Sequence, residues 1–355
     1  MTRPKENLNN MDTEIFDLFT QYEEGMDRAA EVIRQGGLVG FPTETVYGLG
    51  ADAMNEEAVR SIYIAKGRPS NNPLIVHICD MSQLDILVKD VPKRALELME
   101  RFWPGPFTAV LDKRPEVNGT VSGGLNTVAV RMPSNRYASE LIRRSGRVIA
   151  APSGNLSGKP SPTTAKHMKD DFMGKIPVIL DGGRADVGVE STVCDLRGDV
   201  PVILRPGGIT AEMIRSAAGS VEISGGVLKK LSEGEKALSP GMLYRHYSPK
   251  AEVYVAQGAD EADTVKRIND AYDGYERQGR PCVIFCLDGN AGLYRGRNTY
   301  PLGKDAGQMA SNLFDALRKA DEDSMSVVLF EAVSLDGMGL AVMNRIIRAA
   351  GFKTI

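Results

Sequence analysis

The sequence predicts an α/β protein in two parts, a larger domain built on a twisted mixed sheet and a smaller Rossmann-like α/β domain. Three observations predict it. The chain has 355 residues, more than one hydrophobic core usually serves, so two domains are the default expectation. Up to about residue 223, short apolar runs of uneven spacing alternate with helical patterns and show no regular βαβ winding, as a mixed sheet requires. From Ala251 onward the pattern turns regular: a strand over Glu252 to Ala256, a helix to about Arg277, a strand over Pro281 to Leu287, a helix near Ala306 to Ala320, a strand over Val327 to Val333 and a last helix to Ala350. Three successive βα units imply a parallel sheet.

Taken in order, residues 1–24 are polar and weakly patterned, an arm expected to pack on the body without joining its core. Residues 25–223 form the first domain. Asp27 to Gln35 reads as a helix stopped by Gly36-Gly37, and two buried strands follow at Leu38 to Phe41 and Leu74 to Ile78. Between them Asn55 suits an N-cap, Glu56 and Glu57 a first turn, and Ala58, Val59, Ile62 and Ala65 one apolar face. Lys66 then falls in the last turn, with Gly67 as the left-handed terminator. Ser82 to Val88 and Pro92 to Phe102 read as amphipathic helices, the second broken at Trp103-Pro-Gly-Pro106. Strands at Phe107 to Leu111 and Thr127 to Met132, a helix over Asn135 to Ser145 and a short strand at Val148 to Ala151 lead into Pro152-Ser-Gly-Asn155. Further strands fall at Val178 to Leu180, Ser191 to Leu196 and Val202 to Leu204, before a helix capped by Thr210.

Residues 224–250 read as a linker. Its first part is rich in Gly, Ser, Lys and Glu, and its end is Ser239 to Pro249, SPGMLYRHYSP, with more aromatics and cations than a plain tether carries. The domain at 251–355 lacks a glycine-rich phosphate fingerprint after its first strand, where Gln257-Gly-Ala-Asp260 stands instead. It therefore reads as a support or lid domain.

Composition narrows the function. A net charge of −3 argues against a whole-surface nucleic-acid binder, and apolar and charged fractions of 42% and 25% are ordinary for a soluble globular protein. The four cysteines, at 79, 194, 282 and 286, form no CxxC pair and sit in apolar runs, as buried thiols in a reducing compartment do. His77, His167 and His246 are scattered singly, so no metal site is expected. The amino terminus has no apolar segment of signal-peptide length, and no run approaches ~20 apolar residues. The expected location is cytoplasmic, with no membrane contact.

The chain carries no P-loop, nucleophile elbow or HExxH. What remains is a set of polar clusters at strand ends: Lys66-x-Arg68 opposite Thr43 and Thr45, Thr127 and Arg131 on one strand, Ser153-x-Asn155, Ser161-Pro-Thr163, Glu190-Ser191-Thr192 and Arg205-Pro-Gly-Gly208. Singly, each reads more readily as a rim ion pair or a turn than as a binding residue. Jointly, three arginines, a lysine and several hydroxyl side chains suit a triphosphate and a small amphoteric ligand.

The stretches FPTETVYGLG, KGRPSNNPL, TVAVRMP, APSGNLSGKPSPT, VESTV, ILRPG and SPGMLYRHYSP stand in that order between residues 27 and 250. In them the chain resembles the threonylcarbamoyl-adenylate synthase family in its long form, a YrdC-like domain with an added C-terminal domain. The resemblance implies that L-threonine, bicarbonate or CO2, and ATP give threonylcarbamoyl-AMP and pyrophosphate, for threonylcarbamoyladenosine in transfer RNA. It implies a catalytic tetrad of Lys66, Arg68, Ser153 and Asn155. Threonine would be held by Thr45, His77, Arg131, Ala151 and Ser191, and ATP by Arg68, Asn72, Thr127, Ser153, Ser161, Arg205, Tyr244 and Tyr247. Magnesium would come with the triphosphate, held mainly by phosphate and water oxygens. The implied partners are the downstream tRNA threonylcarbamoyl transferase machinery and a weak contact with tRNA itself. The linker tyrosines would either close over the nucleotide or strap the two domains together. A YrdC-like duplex-RNA-binding module and a carbamoyl-phosphate-using enzyme of the same fold stay open as other classes. The latter group carries zinc-finger cysteine pairs and an acylphosphatase-like segment, which this chain lacks.

Overall fold

A computed structural model describes residues 11–229 and 246–355, and most of its helices begin at a side-chain cap that the sequence supplies. The larger part contains β1 (Glu14–Asp17), α1 (Tyr22–Arg34), β2 (Val39–Phe41), β3 (Gly48–Asp52), α2 (Glu56–Lys66), β4 (Ile75–His77), α3 (Lys93–Phe102), β5 (Phe107–Asp112) and β6 (Thr127–Arg131). It continues through α4 (Arg136–Ser145), β7 (Ile149–Ala150), α5 (Ala165–Phe172), β8 (Val178–Asp181), β9 (Thr192–Asp195), β10 (Val202–Arg205), α6 (Ala211–Ala218) and β11 (Glu222–Ile223). The smaller part contains β12 (Glu252–Ala256), α7 (Glu261–Arg277), β13 (Cys282–Cys286), β14 (Thr299–Pro301), α8 (Ala306–Glu322), β15 (Val327–Glu331) and α9 (Gly339–Ala349).

The strands of the larger part join in one mixed sheet, ordered β1-β8-β2-β3-β7-β4-β6-β5-β9-β10-β11. Those of the smaller part form an all-parallel sheet, β12-β15-β13-β14. Both sheets are the expected kinds. Helix α2 follows its sequence signals closely: the Asn55 side chain accepts from the Glu57 and Ala58 amides, and Gly67 ends the helix at φ 61°. Apolar side chains of β2 to β9 and the helices covering them form the main core, in which Tyr47, Leu49, Phe107 and Val130 are fully enclosed.

Several expectations give way. Residues 14–17, expected in an arm outside the core, form the edge strand β1 and pair in parallel with β8; Phe16 and Leu18 are buried in the core. Four residues are enough for this because both faces of the sheet are covered: Phe16 packs into one apolar cluster and Ile15 against the other. Helix α1 starts at Tyr22, earlier than expected. The segment read as a helix from Ser82 is a 3₁₀ turn, Met81–Ile86, opened by an Asp80 capping box. Strand β3 was not expected, since Gly-Leu-Gly has poor strand propensity. Here the glycines are needed: a Cβ on Gly50 would lie 2.7 Å from the Phe41 ring and 2.8 Å from Ile149.

The two parts meet across a polar and partly buried seam. Arg345 on α9 pairs with Glu190 at 2.9 Å, and Arg318 on α8 pairs with Asp171 at 2.8 Å. Asp315 receives His167 and Arg184, and Gly188 lies so close to Ser311 that a Cβ would stand 2.4 Å from its Cα. Val46 and Val189 of the larger part belong to the apolar core of the smaller one. Among the described residues no helix is long and apolar enough to cross a membrane.

Candidate functional site

A cavity of about 720 Å³, counted out to its mouth, opens where β4, β6 and β7 end and β9 begins. The loop after β2 supplies Thr43 and Thr45, the end of α2 Lys66 and Arg68, the strand ends His77 and Arg131, the loop after β7 Ala151, Ser153 and Asn155, the segment entering β9 Glu190 and Ser191, and the end of β10 Arg205. His246 and Tyr247 close the wall nearest the smaller part.

The four residues of the expected tetrad are tied together. Lys66 Nζ donates to the carbonyls of Ser153 and Asn155, both at 2.5 Å, and Ser153 Oγ donates to Asn155 Oδ1 at 2.6 Å. Asn155 Nδ2 in turn donates to the carbonyls of Leu156 and Lys159. Lysine and asparagine therefore shape the loop, and what the loop exposes is the Ser153 hydroxyl. Arg68 Nη2 reaches the carbonyls of Asn72 and Pro73 at 3.2 and 3.1 Å, while its Nε is buried without a partner. A buried guanidinium donor without an acceptor is costly unless a ligand supplies one.

On the opposite wall the hydroxyls form a closed relay. Thr43 Oγ1 donates to the Val46 carbonyl at 2.6 Å, so its 2.8 Å contact with Thr45 is one in which Thr45 donates. Thr45 Oγ1 then accepts from Arg131 Nη1 at 2.9 Å. Only acceptor capacity is left on Thr45, which suits a ligand hydroxyl or ammonium donor. Arg131 is paired with Glu44 at 2.7 Å, both almost fully buried, and donates to the Gly105 carbonyl. Ser191 Oγ bonds Thr108 at 2.8 Å and accepts from Arg205 at 3.2 Å. Arg205 also grips the Ser191 carbonyl through Nε and Nη2.

Burial dominates the electrostatics. It pushes the Lys66 ammonium well below the usual lysine range, assisted by Arg68, and brings Arg205 down to about 10. Burial, then Arg131, lowers His77 to about 3, so the imidazole is neutral and its Nδ1 has no partner. His246 falls to about 3 through burial and then the nearby Arg68. Burial alone would raise Glu44 and Glu190, but Arg131 holds the first low and Arg345, with Arg205, the second. A pocket with this many buried cations stores an electrostatic demand for an anion.

Of the expected residues, Thr45, Lys66, Arg68, His77, Arg131, Ala151, Ser153, Asn155, Ser191, Arg205 and Tyr247 line this one cavity. Asn72, Thr127 and Ser161 do not. Asn72 lies behind Arg68, buried, with both side-chain polar atoms unpartnered. Thr127 starts β6 and Arg131 ends it, so the two stand ~13 Å apart along the strand. The Ser161 hydroxyl is taken by Glu190 Oε1 at 2.5 Å. Tyr244 lies outside the described residues. Tyr247 adopts φ 63° and stacks on Phe314 of α8 at 5.1 Å, which fits a strap between the two parts. Sequence reasoning passed over Glu44, although it sits between the two threonines, and over Arg345, which looks like any cation on an amphipathic helix.

Fold and site together define a two-part α/β protein with a YrdC-like larger part and a buried pocket lined by arginine and lysine side chains. Two family models match the chain in series: one described as telomere recombination, covering Sua5, YciO and YrdC proteins, over residues 31–207, and threonylcarbamoyl-AMP synthase, C-terminal domain, over 209–351. The chain belongs to the threonylcarbamoyl-AMP synthase family in its long two-domain form. It is 48% identical to the threonylcarbamoyl-AMP synthase of Pyrococcus abyssi, over 92% of this chain and 94% of that one. The Bacillus subtilis threonylcarbamoyl-AMP synthase is 46% identical, over 92% and 93%. The crystal structure of P. abyssi Sua5 complexed with L-threonine superposes with a TM-score of 0.90 at 45% identity, covering 97% of this chain and 99% of that one.

Proposed function

We infer that the protein is an L-threonylcarbamoyladenylate synthase. The observation that carries this reading is the convergence of Lys66, Arg68, Arg131 and Arg205 on one buried cavity that also presents hydroxyls and a neutral imidazole. In the reaction, threonine's amine adds to CO2 and loses a proton, giving a carbamate. A carbamate oxygen attacks the α-phosphorus of ATP, the bond to the β-phosphate oxygen breaks, and pyrophosphate leaves. The nucleophile is already an anion, so no general base is needed at this step. The protein's task is to position, to exclude water and to balance charge.

Thr45, His77, Arg131, Ala151 and Ser191 hold threonine in this reading. The Arg131 guanidinium, already fixed by Glu44, faces the carboxylate, and Thr45 accepts from the ligand's donors. Arg68, Ser153 and Arg205 face the phosphates and Tyr247 bounds the nucleotide end, while Lys66 and Asn155 fix the loop that carries Ser153. Asn72, Thr127 and Ser161 act from behind this wall. Glu190, the carboxylate in the pocket lining, and Glu44, which backs Arg131, are both engaged by arginine. Magnesium would therefore be held by the triphosphate and water, where it neutralises phosphate charge. The product is a labile mixed anhydride that a tRNA-modifying transferase in the cytoplasm must consume. Pyrophosphate release tests the reading. It should require ATP, threonine and bicarbonate together, with serine a poor substitute because a lost methyl contact is worth ~1 to 3 kcal/mol. Equal release with threonine left out refutes it.

A further inference from the structure

We propose that Arg345, on the last helix of the C-terminal part, is a positioning residue for the nucleotide side of the cavity: it neutralises Glu190 and thereby leaves Arg205 free to face an anion. The inference rests on the reading above and explains why a second domain is locked to the first at this point.

Among the described residues Glu190 is the one carboxylate in the cavity wall. Its neighbour Ser191 is the residue Arg205 grips through the carbonyl and the hydroxyl. Two arginines therefore compete for one buried acid. Arg345 takes it: Nε donates to Glu190 Oε2 at 2.9 Å and Nη2 to the Glu190 carbonyl at 3.3 Å, while Ser161 satisfies Oε1. Arg205 is left without an ion pair among the described residues, although Glu190 lies near enough to feel its charge. The remaining donors of Arg345 pin the hairpin that presents Arg205. Nη1 donates to the carbonyl of Pro206, the next residue, at 2.6 Å, and to Asn344 Oδ1 at 2.9 Å. The same guanidinium stands 5.8 Å from the centre of the Tyr247 ring, which bounds the cavity. Arg345 itself is fully buried and does not line the cavity, so it acts only through these neighbours.

Removing Arg345 while keeping its bulk has a defined consequence. Glu190 stays buried beside a pocket built for phosphate, and its carboxylate either draws Arg205 into a pair or repels the incoming anion. Removing the acid as well relieves both effects. A merely structural arginine would show no such relief, because the Pro206 and Asn344 contacts are lost in both variants.

The test measures binding of inorganic triphosphate by calorimetry, which needs neither threonine nor turnover, alongside thermal melts and pyrophosphate release. Native protein, Arg345→Met, Arg345→Lys and the double variant Arg345→Met with Glu190→Gln are compared. Arg345→Met should bind triphosphate at least tenfold more weakly, Arg345→Lys should keep most of the affinity, and the double variant should return to within about threefold of native. Arg345→Met that folds and binds like native, or a double variant as weak as Arg345→Met, overturns the proposal. If Arg345→Met does not fold, the double variant decides alone, since it leaves no Glu190 carboxylate buried without its arginine. Native protein that fails to bind triphosphate also overturns it. Native protein that binds triphosphate but releases no pyrophosphate overturns the synthase reading and leaves this inference standing on the binding data.

Discussion

Truncation of Arg68 to alanine separates a ligand-gripping cation from an ordinary helix-end charge. In the folded protein Arg68 gives two bonds, at 3.2 Å to the Asn72 carbonyl and 3.1 Å to the Pro73 carbonyl. The Asn72 carbonyl keeps a second donor, the Tyr63 hydroxyl at 2.9 Å, so Arg68→Ala leaves only the Pro73 carbonyl short of a partner. The structural cost should be ~1 to 2 kcal/mol. The functional cost is set by Nε, which is buried without an acceptor. One charge-assisted bond from it to a phosphate oxygen is worth ~1.5 to 3 kcal/mol, a fall of roughly 10- to 150-fold in kcat/KM for ATP. Arg68→Lys should recover part of this, having the charge without the planar fork. Continuous pyrophosphate detection under ATP limitation, with a thermal melt of each variant, gives both numbers. A variant with native kcat/KM and a lowered melting temperature would mean that Arg68 only caps α2 and holds its loop.

Other expectations follow from the same geometry. His77 and His246 are both held neutral to about pH 3 in the fold, against an ordinary histidine value near 6.5. The unfolded chain therefore binds more protons between those values, and stability should fall as pH drops below ~6.5, by about 1.4 kcal/mol per pH unit for each histidine. Denaturant melts of native protein and His77→Gln should show a shallower slope in the variant; equal slopes would refute the burial argument. Asn55→Ala, which removes the cap of α2, should cost ~1 kcal/mol in chemical denaturation. A change in midpoint below the error of the melt would show that the cap bond contributes nothing. Cys79 is the one partly exposed thiol, with Cys194, Cys282 and Cys286 buried and their thiols pushed up by burial. A thiol reagent should therefore modify one cysteine per native chain and four after unfolding. Rapid modification of Cys194 in native protein would contradict the enclosed core.

Much of the site was legible because its residues sit in short motifs whose spacing has a physical meaning. Asn55 and Gly67 bracket α2, and that bracket fixes where Lys66 and Arg68 must emerge. Ser153 and Asn155 follow a strand, so their loop had to lie at a sheet edge. What stayed hidden depends on contacts distant in sequence. Gly50 reads as a strand breaker until Phe41 and Ile149 are seen to need its empty side. Arg345 carries no local mark of its partnership with Glu190, from which it is separated by most of the second half of the chain. Ser161 looks like a free hydroxyl in a turn, and only the fold reveals that Glu190 occupies it. Residues 14–17 were too few and too mixed to announce a strand, and only β8 gives them a partner.

That last pairing has a kinetic consequence. Glu14 aligns with Val178, and β2, though it meets β3 early on one edge, pairs with β8 on the other, so β1 and that edge of β2 wait for a partner that appears only after Val178 has been made. Contacts of such sequence separation are slow to close, because the loop entropy must be overcome before the ladder repays it. Until then β1 and β2 present unpaired edges and the apolar faces of Phe16, Val39 and Phe41 to solvent. Refolding of the isolated chain should accordingly be concentration-sensitive, with aggregation competing against capture of β8, and the N-terminal edge should be among the last regions to gain protection from hydrogen exchange.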